Sequence, residues 1–242
     1  MSLTPRIVNV GLSGVLVSFS DRLSETANRA ALAFRAALEG DGLAGVIETS
    51  TSLTSTFIAY DPTTLSNDRL QGHLRDLVAS RDWSTAPLPQ GRRLWQMPAA
   101  FEGPHAPQLA EVADLAGIST TQAVADLSET RLRVMTIGFA PGQPYLGEMP
   151  AAWDIPRQSG LTKEVPIGAL AAAIRQLVMF TTLSPTGWRQ VGQTTFRGFR
   201  QEANTPFPLR PGDEICFTPI PPRDFARLAA LPHGGATPEA LE

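Results

Sequence analysis

The chain has 242 residues, and 43% of them are hydrophobic, so it can bury a sizeable core as one large domain or two ordinary ones. Its 20 basic and 23 acidic side chains leave a net charge of −3, which gives no electrostatic reason to expect nucleic acid or an anionic membrane as a partner. The single cysteine, Cys216, excludes an internal disulfide and a cysteine-based zinc site. No segment approaches the ~20 apolar residues that cross a bilayer, and no signal peptide is visible, so a reducing cytoplasm is the expected location.

The first third of the chain predicts an α+β domain, residues 1–83. Residues 6–19 predict a strand pair or one bent strand, and Asp21 is the expected N-cap of the helix that follows. The β-branched segment 46–62 predicts two strands, and a second helix is expected to start near Ser66. The order of strand, helix, two strands and helix is typical of a compact unit whose helices cover one face of an antiparallel sheet.

A linker and a second domain are predicted to follow. Residues 84–93 hold two prolines and a glycine without apolar periodicity, so we expect them to join the domains 1–83 and 94–242. From residue 131 onward, short apolar runs alternate with Gly/Pro turns, which predicts a closed or nearly closed β-barrel. The alanine-rich run 169–180 has helix propensity, but its setting favours strand.

Two short helices are expected before the barrel strands. The first runs from about Pro107 to Ala116 and stops at Gly117. Ser119 with Gln122 forms a capping-box pattern for the second.

The segment GFAPGQPYLGEMP, residues 138–150, is the most informative stretch of the sequence. Three prolines and three glycines within it predict a loop with one fixed shape. Phe139 and Tyr145 give this loop an apolar body, and the Tyr145 hydroxyl gives it a polar tip. Composition alone leaves two interpretations equally open: a stiff crossover that plugs the barrel end, or a binding loop at the barrel mouth.

Four motifs in order carry a resemblance to a known family: GFAPGQPYLGEMP, VPIGALAAAIRQ, SPTGWRQVGQT and LRPGDEICFTPI, preceded by YDP at 60–62. Over roughly residues 5–222, the sequence resembles the first subunit of allophanate hydrolase, which is also the B subunit of bacterial ATP-dependent 5-oxoprolinase. One member of that family is an inhibitor of a sporulation histidine kinase.

The resemblance implies a fold and an assembly. The fold would be a ferredoxin-like α+β domain followed by a cyclophilin-like β-barrel. The assembly would pair this chain with a second subunit that has a related barrel, and with a third subunit that uses the lactam. Their combined activity is ATP-driven hydrolysis of 5-oxoproline to glutamate. The same paired domains occur fused in urea carboxylase, where they transfer a carboxyl group from biotin to urea.

The sequence departs from the family pattern and is therefore identified as a divergent member. Where the family has a Gly-Gly-Gln-Thr-Gly turn, residues 174–178 retain only the glutamine, Gln176. The family's histidine, aspartate, arginine and loop phenylalanine are replaced here, in that order, by Leu127, Gln108, Gln193 and Gln143.

The resemblance and the residue chemistry together define a predicted substrate-binding or interface set. The amide of Gln176 could bind a lactam or ureido group, or it could be an outward-facing strand residue. Arg175 could pair with a substrate carboxylate or lie at the surface. Tyr145 and Trp188 could wall a pocket or an interface. The full set is Gly138, Phe139, Pro141, Gly142, Pro144, Tyr145, Gln176, Ser184, Gly187, Trp188 and Thr194; no catalytic residue and no metal ligand is predicted.

The three histidines offer little chemistry from the sequence alone. His73 is expected on a solvated helix face, and His233 is expected to be inert in the tail. His105 could act as a general base, but no sequence neighbour orients it. Because no P-loop is present, any ATP is expected to bind another nucleotide fold or a partner subunit.

Two hypotheses of function follow. In the first, the chain is an enzyme subunit that is inactive alone and binds a small lactam or ureido substrate beside a second barrel subunit. In the second, it is a non-catalytic regulatory protein that docks on a sensor histidine kinase and inhibits it. Neither hypothesis involves nucleic acid or a membrane.

Overall fold

The computed structural model of the chain describes residues 3–241 and divides into two compact units, one ending at Gln90 and the other beginning at Gly91. The division falls inside the predicted linker 84–93. None of the helices within the described residues combines the length and the apolar character needed to cross a membrane.

The first unit is a four-stranded antiparallel sheet with two helices. The strands are ordered β1-β2-β4-β3 across the sheet. Its elements are β1 (Arg6–Val10), β2 (Gly14–Ser18), α1 (Glu25–Asp41), β3 (Val46–Ser52), β4 (Ser55–Tyr60) and α2 (Asn67–Ala79). Residues 6–19 therefore form the strand pair, and the unit has one strand more than the single bent alternative would give.

Serine hydroxyl groups cap the N-termini of both helices of the first unit. Ser66 caps α2 by accepting the Arg69 N–H at 3.3 Å, as predicted. The N-cap of α1 is Ser24, whose side chain accepts the N–H of Ala27 at 3.2 Å, so the prediction for Asp21 is wrong. Asp21 instead forms an ion pair with Arg6.

An aromatic triad anchors the core of the first unit. Phe34 lies 5.5 Å from Phe19 and 5.3 Å from Trp83, measured between ring centroids. Trp83 follows α2, and Ala86 beyond it is also buried in the same apolar cluster. The first residues of the predicted linker therefore pack with the first unit.

The second unit is a β-barrel with three α-helices. Its strands are β5 (Arg93–Ala100), β6 (Leu132–Ile137), β7 (Pro144–Gly147), β8 (Thr162–Val165), β9 (Ala169–Ala173), β10 (Gln176–Met179), β11 (Ser184–Thr186), β12 (Arg189–Thr194), β13 (Glu214–Pro219) and β14 (Thr237–Ala240). Its helices are α3 (Leu109–Ala116), α4 (Thr120–Glu129) and α5 (Phe225–Ala229).

Seven of these strands close the barrel in the order β12-β9-β10-β7-β6-β13-β5, because β5 also pairs with β12. The β5–β13 pairing is parallel and places Trp95 opposite Ile215. The remaining barrel pairs are antiparallel, including Gln193 with Ala100 at the closing seam. The predicted closed barrel is confirmed.

The barrel interior is one continuous apolar cluster. Alternate residues of the strands point into it, among them Leu177 and Met179 of β10. Helices α3 and α4 add Val112 and Leu127 to the same cluster. Leu127, which stands where the resembled family has a histidine, is therefore a core residue.

The run 169–180 is a β-hairpin, as its setting predicted, in spite of its alanines. A two-residue turn, Ile174–Arg175, separates β9 from β10, and both residues have positive φ, 46° and 60°. This is the left-handed pair of a type I′ turn, which normally favours Asn and Gly. Backbone bonds from Ile174 N to Ile155 O (2.8 Å) and from Arg175 N to Trp153 O (3.0 Å) hold the turn.

The expected ends of α3 and α4 are present with one correction. Gly117 ends α3 in the left-handed conformation, at φ 66°. Ser119 caps α4 by accepting the Gln122 N–H at 3.0 Å. The Gln122 side chain bonds to Asp126 at 2.7 Å and does not return to Ser119, so the capping box is half formed.

The buried carboxylate of Asp213 joins β5, the first barrel strand in the sequence, to β13, the last of the seven. Asp213 accepts the Arg93 backbone N–H at 3.0 Å, the Arg93 guanidinium at 2.6 Å and the Arg210 N–H at 3.0 Å. The indole N–H of Trp95 also donates to it at 3.4 Å. The motif LRPGD thereby fixes the start of β13 beside the start of β5.

Candidate functional site

The candidate site lies on the outer face of the barrel wall. Val178 of β10 and Phe180, which follows the strand, point away from the interior and form a second apolar cluster with Trp188. Tyr145 of β7 packs against this cluster and lies opposite Val178 in the ladder. The two-stranded β8–β11 sheet adds Val165 to it.

A pocket of about 380 Å³ opens on this face. Four segments that are distant in sequence contribute to it: the β6–β7 loop with the start of β7, the chain around 157–161, residues 178–180, and β11 with the β11–β12 connection. The lining residues are Phe139, Gln143, Tyr145, Arg157, Gln158, Leu161, Val178, Phe180, Pro185, Thr186, Gly187 and Trp188.

Two aromatic side chains form one wall of the pocket. The Tyr145 and Trp188 rings meet edge to face, with centroids 6.2 Å apart and an interplanar angle of 77°. The Arg157 guanidinium carbon lies 5.4 Å from the centre of the Trp188 ring, within the range of a cation–π contact. The wall can therefore hold a flat ligand, with a positive charge at its edge.

The β6–β7 loop is held in shape by its own backbone. Gly138 N donates to Gln143 O at 3.0 Å, and Gln143 N donates to Ala140 O at 3.1 Å. Gly142 has φ 69°, and a Cβ there would lie 2.2 Å from the Gly198 carbonyl oxygen, so only glycine fits. The loop joins two neighbouring antiparallel strands and lines the outer pocket. It is thus a connection between adjacent strands and not a crossover.

Gln158 ties the opposite wall to the β11–β12 connection. Its backbone N–H donates to Gly187 O at 2.7 Å, and its side-chain amide donates to Trp188 O at 3.0 Å. Its side-chain carbonyl accepts from Gln108 at 2.9 Å. Gln108 therefore supports the pocket indirectly. Sequence reasoning missed Arg157 and Gln158, because their segment has no periodic pattern.

The predicted site residues divide into two groups. Phe139, Tyr145, Gly187 and Trp188 come together in the pocket. The others do not line it: Gly138, Pro141, Gly142, Pro144, Gln176, Ser184 and Thr194.

Ordinary structural contacts account for several of the second group. Pro141 O accepts the Thr181 hydroxyl at 2.8 Å, which anchors the loop. Thr194 is buried and donates to Pro98 O at 2.7 Å, beside the closing seam of the barrel. Ser184 is buried with its hydroxyl 3.0 Å from that of Thr182.

Two buried glutamine amides lie on the outer face. Gln176 is 6% exposed and its Nε2 has no hydrogen-bond partner, but it is not among the pocket-lining residues. Gln143 is 1% exposed, lines the pocket, and has no partner for its Oε1. Sequence reasoning selected Gln176 and overlooked Gln143. The available signal was a polar side chain held between Gly142 and Pro144 in a rigid loop.

Arg175 is already paired within the protein. Its guanidinium lies 3.3 Å from the Glu148 carboxylate, and its Nε donates to Met149 O at 3.1 Å. The sequence left two interpretations of Arg175, a partner for a substrate carboxylate or a surface residue. Pairing with a substrate carboxylate would require breaking these contacts. Arg157 is the cation in the pocket wall.

His105 is oriented by residues far away in the sequence. Its Nδ1 lies 2.7 Å from Gln193 Oε1, and its ring stacks on Phe225 at 4.4 Å between centroids. Gln193 in turn donates to Ile167 O at 2.9 Å. His105 does not line the pocket.

The other two histidines also have specific contacts. His73 Nε2 lies 2.9 Å from an Asp41 carboxylate oxygen, so it is paired as well as partly solvated. The His233 ring packs 5.5 Å from Trp95 and 6.3 Å from Phe196, between centroids.

An ion pair braces the chain beside the pocket. Arg189 Nε donates to Glu111 at 2.6 Å, and its NH1 donates to Pro156 O at 2.6 Å. The hydrogen bond from Arg189 lowers the pKa of Glu111 below its usual value, against a smaller opposing effect of burial. Within residues 3–241, no group of three or more His, Cys, Asp or Glu side chains is placed to hold a metal ion.

The chain belongs to the family described as carboxyltransferase domain, subdomain C and D, whose model matches residues 5–209. Among curated proteins, it is 28% identical over 232 residues to the B subunit of 5-oxoprolinase from Bacillus subtilis, covering 93% of this chain and 97% of that protein. The predicted resemblance to the family of 5-oxoprolinase B subunits is confirmed.

Solved structures share the fold. The crystal structure of TTHA0988 superposes with a TM-score of 0.71 and 31% identity, covering 86% of this chain; this chain spans only 40% of that longer one. The Kluyveromyces lactis urea amidolyase superposes over 99% of this chain, and 16% of its own, with a TM-score of 0.72 and 15% identity. At that identity, the second likeness concerns the fold alone.

Proposed function

We propose that this chain is one subunit of an ATP-dependent amidohydrolase complex that acts on a small lactam or ureido substrate together with a second barrel subunit. The observation that carries the proposal is the outer-wall pocket, in which the Tyr145–Trp188 pair and the rigid β6–β7 loop meet. The full-length match to a protein named as a subunit supports a multi-subunit assembly.

The pocket suits a small, flat and mainly apolar ligand that carries an amide. The Tyr145 and Trp188 rings would hold the plane of the ligand. Arg157, at the Trp188 ring, would attract a carboxylate such as that of 5-oxoproline. Two backbone N–H groups of the loop, at Gly138 and Gln143, already bond within it, so they are not free to stabilise an oxyanion.

The pocket does not fit ATP. A triphosphate needs several cations or a cradle of backbone N–H groups, and Arg157 is the one cationic side chain among the lining residues of the described chain. We therefore assign ATP to another subunit of the complex.

An apolar rim supports the proposed pairing with a second barrel. Phe139 is 78% exposed, Leu161 72% and Leu183 59%, and the first two line the pocket mouth. Large apolar side chains that stand together at a pocket mouth are typical of surfaces that a partner covers. The partner would then complete the pocket and supply the groups that transfer protons.

The test is reconstitution. The chain is co-expressed with candidate second and third subunits, and ATP-dependent release of glutamate from 5-oxoproline is measured. We expect activity from the complex, none from the isolated chain, and at least a tenfold loss of kcat/KM in Trp188→Leu, since one aromatic wall would be removed. A stable complex without turnover would reject the reaction and leave the pairing intact.

The second candidate function is a regulatory protein that docks on a sensor histidine kinase through the same apolar rim. The pocket lining favours it in one respect: within the described chain it contains no His, Cys, Asp, Glu or Lys to act as acid or base. Gene neighbourhood separates the two. Adjacent second- and third-subunit genes support the enzyme, whereas a lone gene beside a kinase gene supports the regulator.

We also propose a class for each of the two units. We assign the first unit to the ferredoxin-like class and the barrel to the cyclophilin-like class, with domain limits 1–83 and 94–242. Thermal unfolding of residues 94–242, compared with residues 91–242 that keep Arg93 and its bonds to Asp213, tests these limits. A cytoplasmic location also remains a prediction.

A further inference from the structure

We propose that Gln143 is the specificity-determining residue of the outer-wall pocket and that it recognises a cis-amide edge of the ligand, such as that of a lactam. This inference rests on the proposed function and names the residue that would read the substrate. It starts from a buried side-chain carbonyl whose missing hydrogen-bond partner has no structural explanation.

Burial of the Gln143 side-chain amide is energetically unfavourable. The side chain is 1% exposed, and its Oε1 has no hydrogen-bond partner. Its backbone N–H and C=O, by contrast, both bond inside the loop. A buried carbonyl without a partner is unfavourable, so such groups call for an explanation. Its position in the pocket lining offers one: the partner is a ligand.

The chemistry of the amide defines that partner. A glutamine side chain presents one acceptor and one donor next to each other in a plane. A lactam or ureido group with its N–H and C=O on the same side presents the complementary pair. Two parallel hydrogen bonds would then form, and the ligand plane would lie beside the Tyr145–Trp188 wall. An ester of the same shape can accept but cannot donate, and its ring oxygen would face the Gln143 carbonyl.

The second buried amide does not share this role. Tyr145 lies opposite Val178 in the antiparallel pair of β7 and β10. Gln143 comes two residues before Tyr145, and Gln176 comes two residues before Val178 on the strand that runs the other way. The two glutamines therefore lie on opposite sides of the Tyr145–Val178 pair, about 13 Å apart along the sheet. Gln176 also lies outside the pocket lining. One small ligand held against Tyr145 and Trp188 would therefore meet Gln143 alone.

The experiment compares two probes that differ in one atom. Binding of 5-oxoproline and of its lactone analogue, 5-oxotetrahydrofuran-2-carboxylic acid, is measured by ligand-observed NMR, both to the full chain alone and to its complex with the second barrel subunit. Both carry the same carboxylate, so any contact with Arg157 cancels. We expect the wild-type chain to prefer the lactam by about tenfold, the effect of one hydrogen bond gained in place of an oxygen–oxygen repulsion.

Two leucine variants decide the assignment. Gln143→Leu should bind both probes equally and should melt no lower than wild type, since it removes an unpaired buried carbonyl without changing the volume much. A merely structural role of Gln143 would lower the melting temperature and keep the preference. The inference is wrong if Gln176→Leu abolishes the preference for the lactam instead. It is also wrong if the wild-type protein binds neither probe, or binds both with equal affinity.

Failure of this inference is distinguishable from failure of the proposed function. A reconstituted complex that turns over 5-oxoproline, with Gln143→Leu as selective as wild type, would overturn the inference and keep the function. If the chain discriminates between the probes but the complex never turns over 5-oxoproline, the inference stands and the proposed function is wrong.

Discussion

The inner and outer faces of the barrel wall are built from the same strands but carry different chemistry. On the inner face, Leu177 and Met179 lie in a continuous apolar cluster without polar atoms of their own. On the outer face, Val178 lies among alanines beside the pocket, and two glutamine amides of this face each have one atom without a hydrogen-bond partner, Gln143 Oε1 and Gln176 Nε2. The inner face is complete as folded, whereas the outer face has unmet hydrogen-bonding capacity. The comparison teaches that the groups awaiting a ligand lie outside this barrel.

The largest expected effect comes from truncating two neighbouring side chains of β10, one on the inner face and one on the outer face of the barrel wall. Leu177→Ala on the inner face should cost about 2–5 kcal/mol of unfolding free energy, because it leaves a closed cavity in the core. Val178→Ala should cost less than half as much, because the space merges with the open pocket. Urea denaturation followed by tryptophan fluorescence gives both values. Equal costs would mean that the outer face is packed as tightly as the inner one.

The turn between β9 and β10 provides a second, smaller test. Ile174 is β-branched and has φ 46°, a conformation that costs such residues about 1–2 kcal/mol. Ile174→Asn should therefore raise the unfolding free energy by about 1 kcal/mol, since Asn is favoured at this position of a type I′ turn. The control is Arg175→Gly, which relieves φ 60° but also removes the contacts with Glu148 and Met149. It should gain less, and a loss of stability in Ile174→Asn would contradict the reasoning.

The smallest expected effect concerns the pH dependence of the brace beside the pocket. The pKa of Glu111 is lowered in the folded chain by Arg189, so the contribution of this pair is present above the unfolded-state value and is lost as pH falls through the folded-state value. Because Glu111 is half exposed, the contribution should be about 0.5 kcal/mol or less. Glu111→Gln should flatten the acid side of the stability–pH profile. Unchanged curvature below pH ~4 would show that the pair is screened out.

Local sequence signals predicted the elements well where the cause is local. Ser66, Ser119 and Gly117 mark helix ends because capping depends on the nearest few residues. The cap of α1 was misplaced by three residues because Asp21 and Ser24 are both good caps, and only the pairing of Asp21 with Arg6 separates them.

The site was predictable only in part, for a physical reason. Tyr145 and Trp188 belong to motifs, and their ring chemistry predicts a wall wherever they meet. Arg157 and Gln158 belong to an irregular segment, so their place depends on long-range bonds to Gly187 and Trp188 that no periodicity encodes. Gln143 was overlooked because burial of a polar side chain is a property of the folded loop and not of its composition.

The parallel pairing of β5 with β13 has a consequence for how the barrel is made. It joins Arg93 to Asp213 and Trp95 to Ile215, partners separated by about 120 residues. Contacts this distant along the chain close late and slow the folding reaction. During synthesis, β5 leaves the ribosome long before its neighbour and must wait with unpaired edges, a state that favours aggregation. The polypeptide is therefore most vulnerable in the interval before the LRPGD turn emerges.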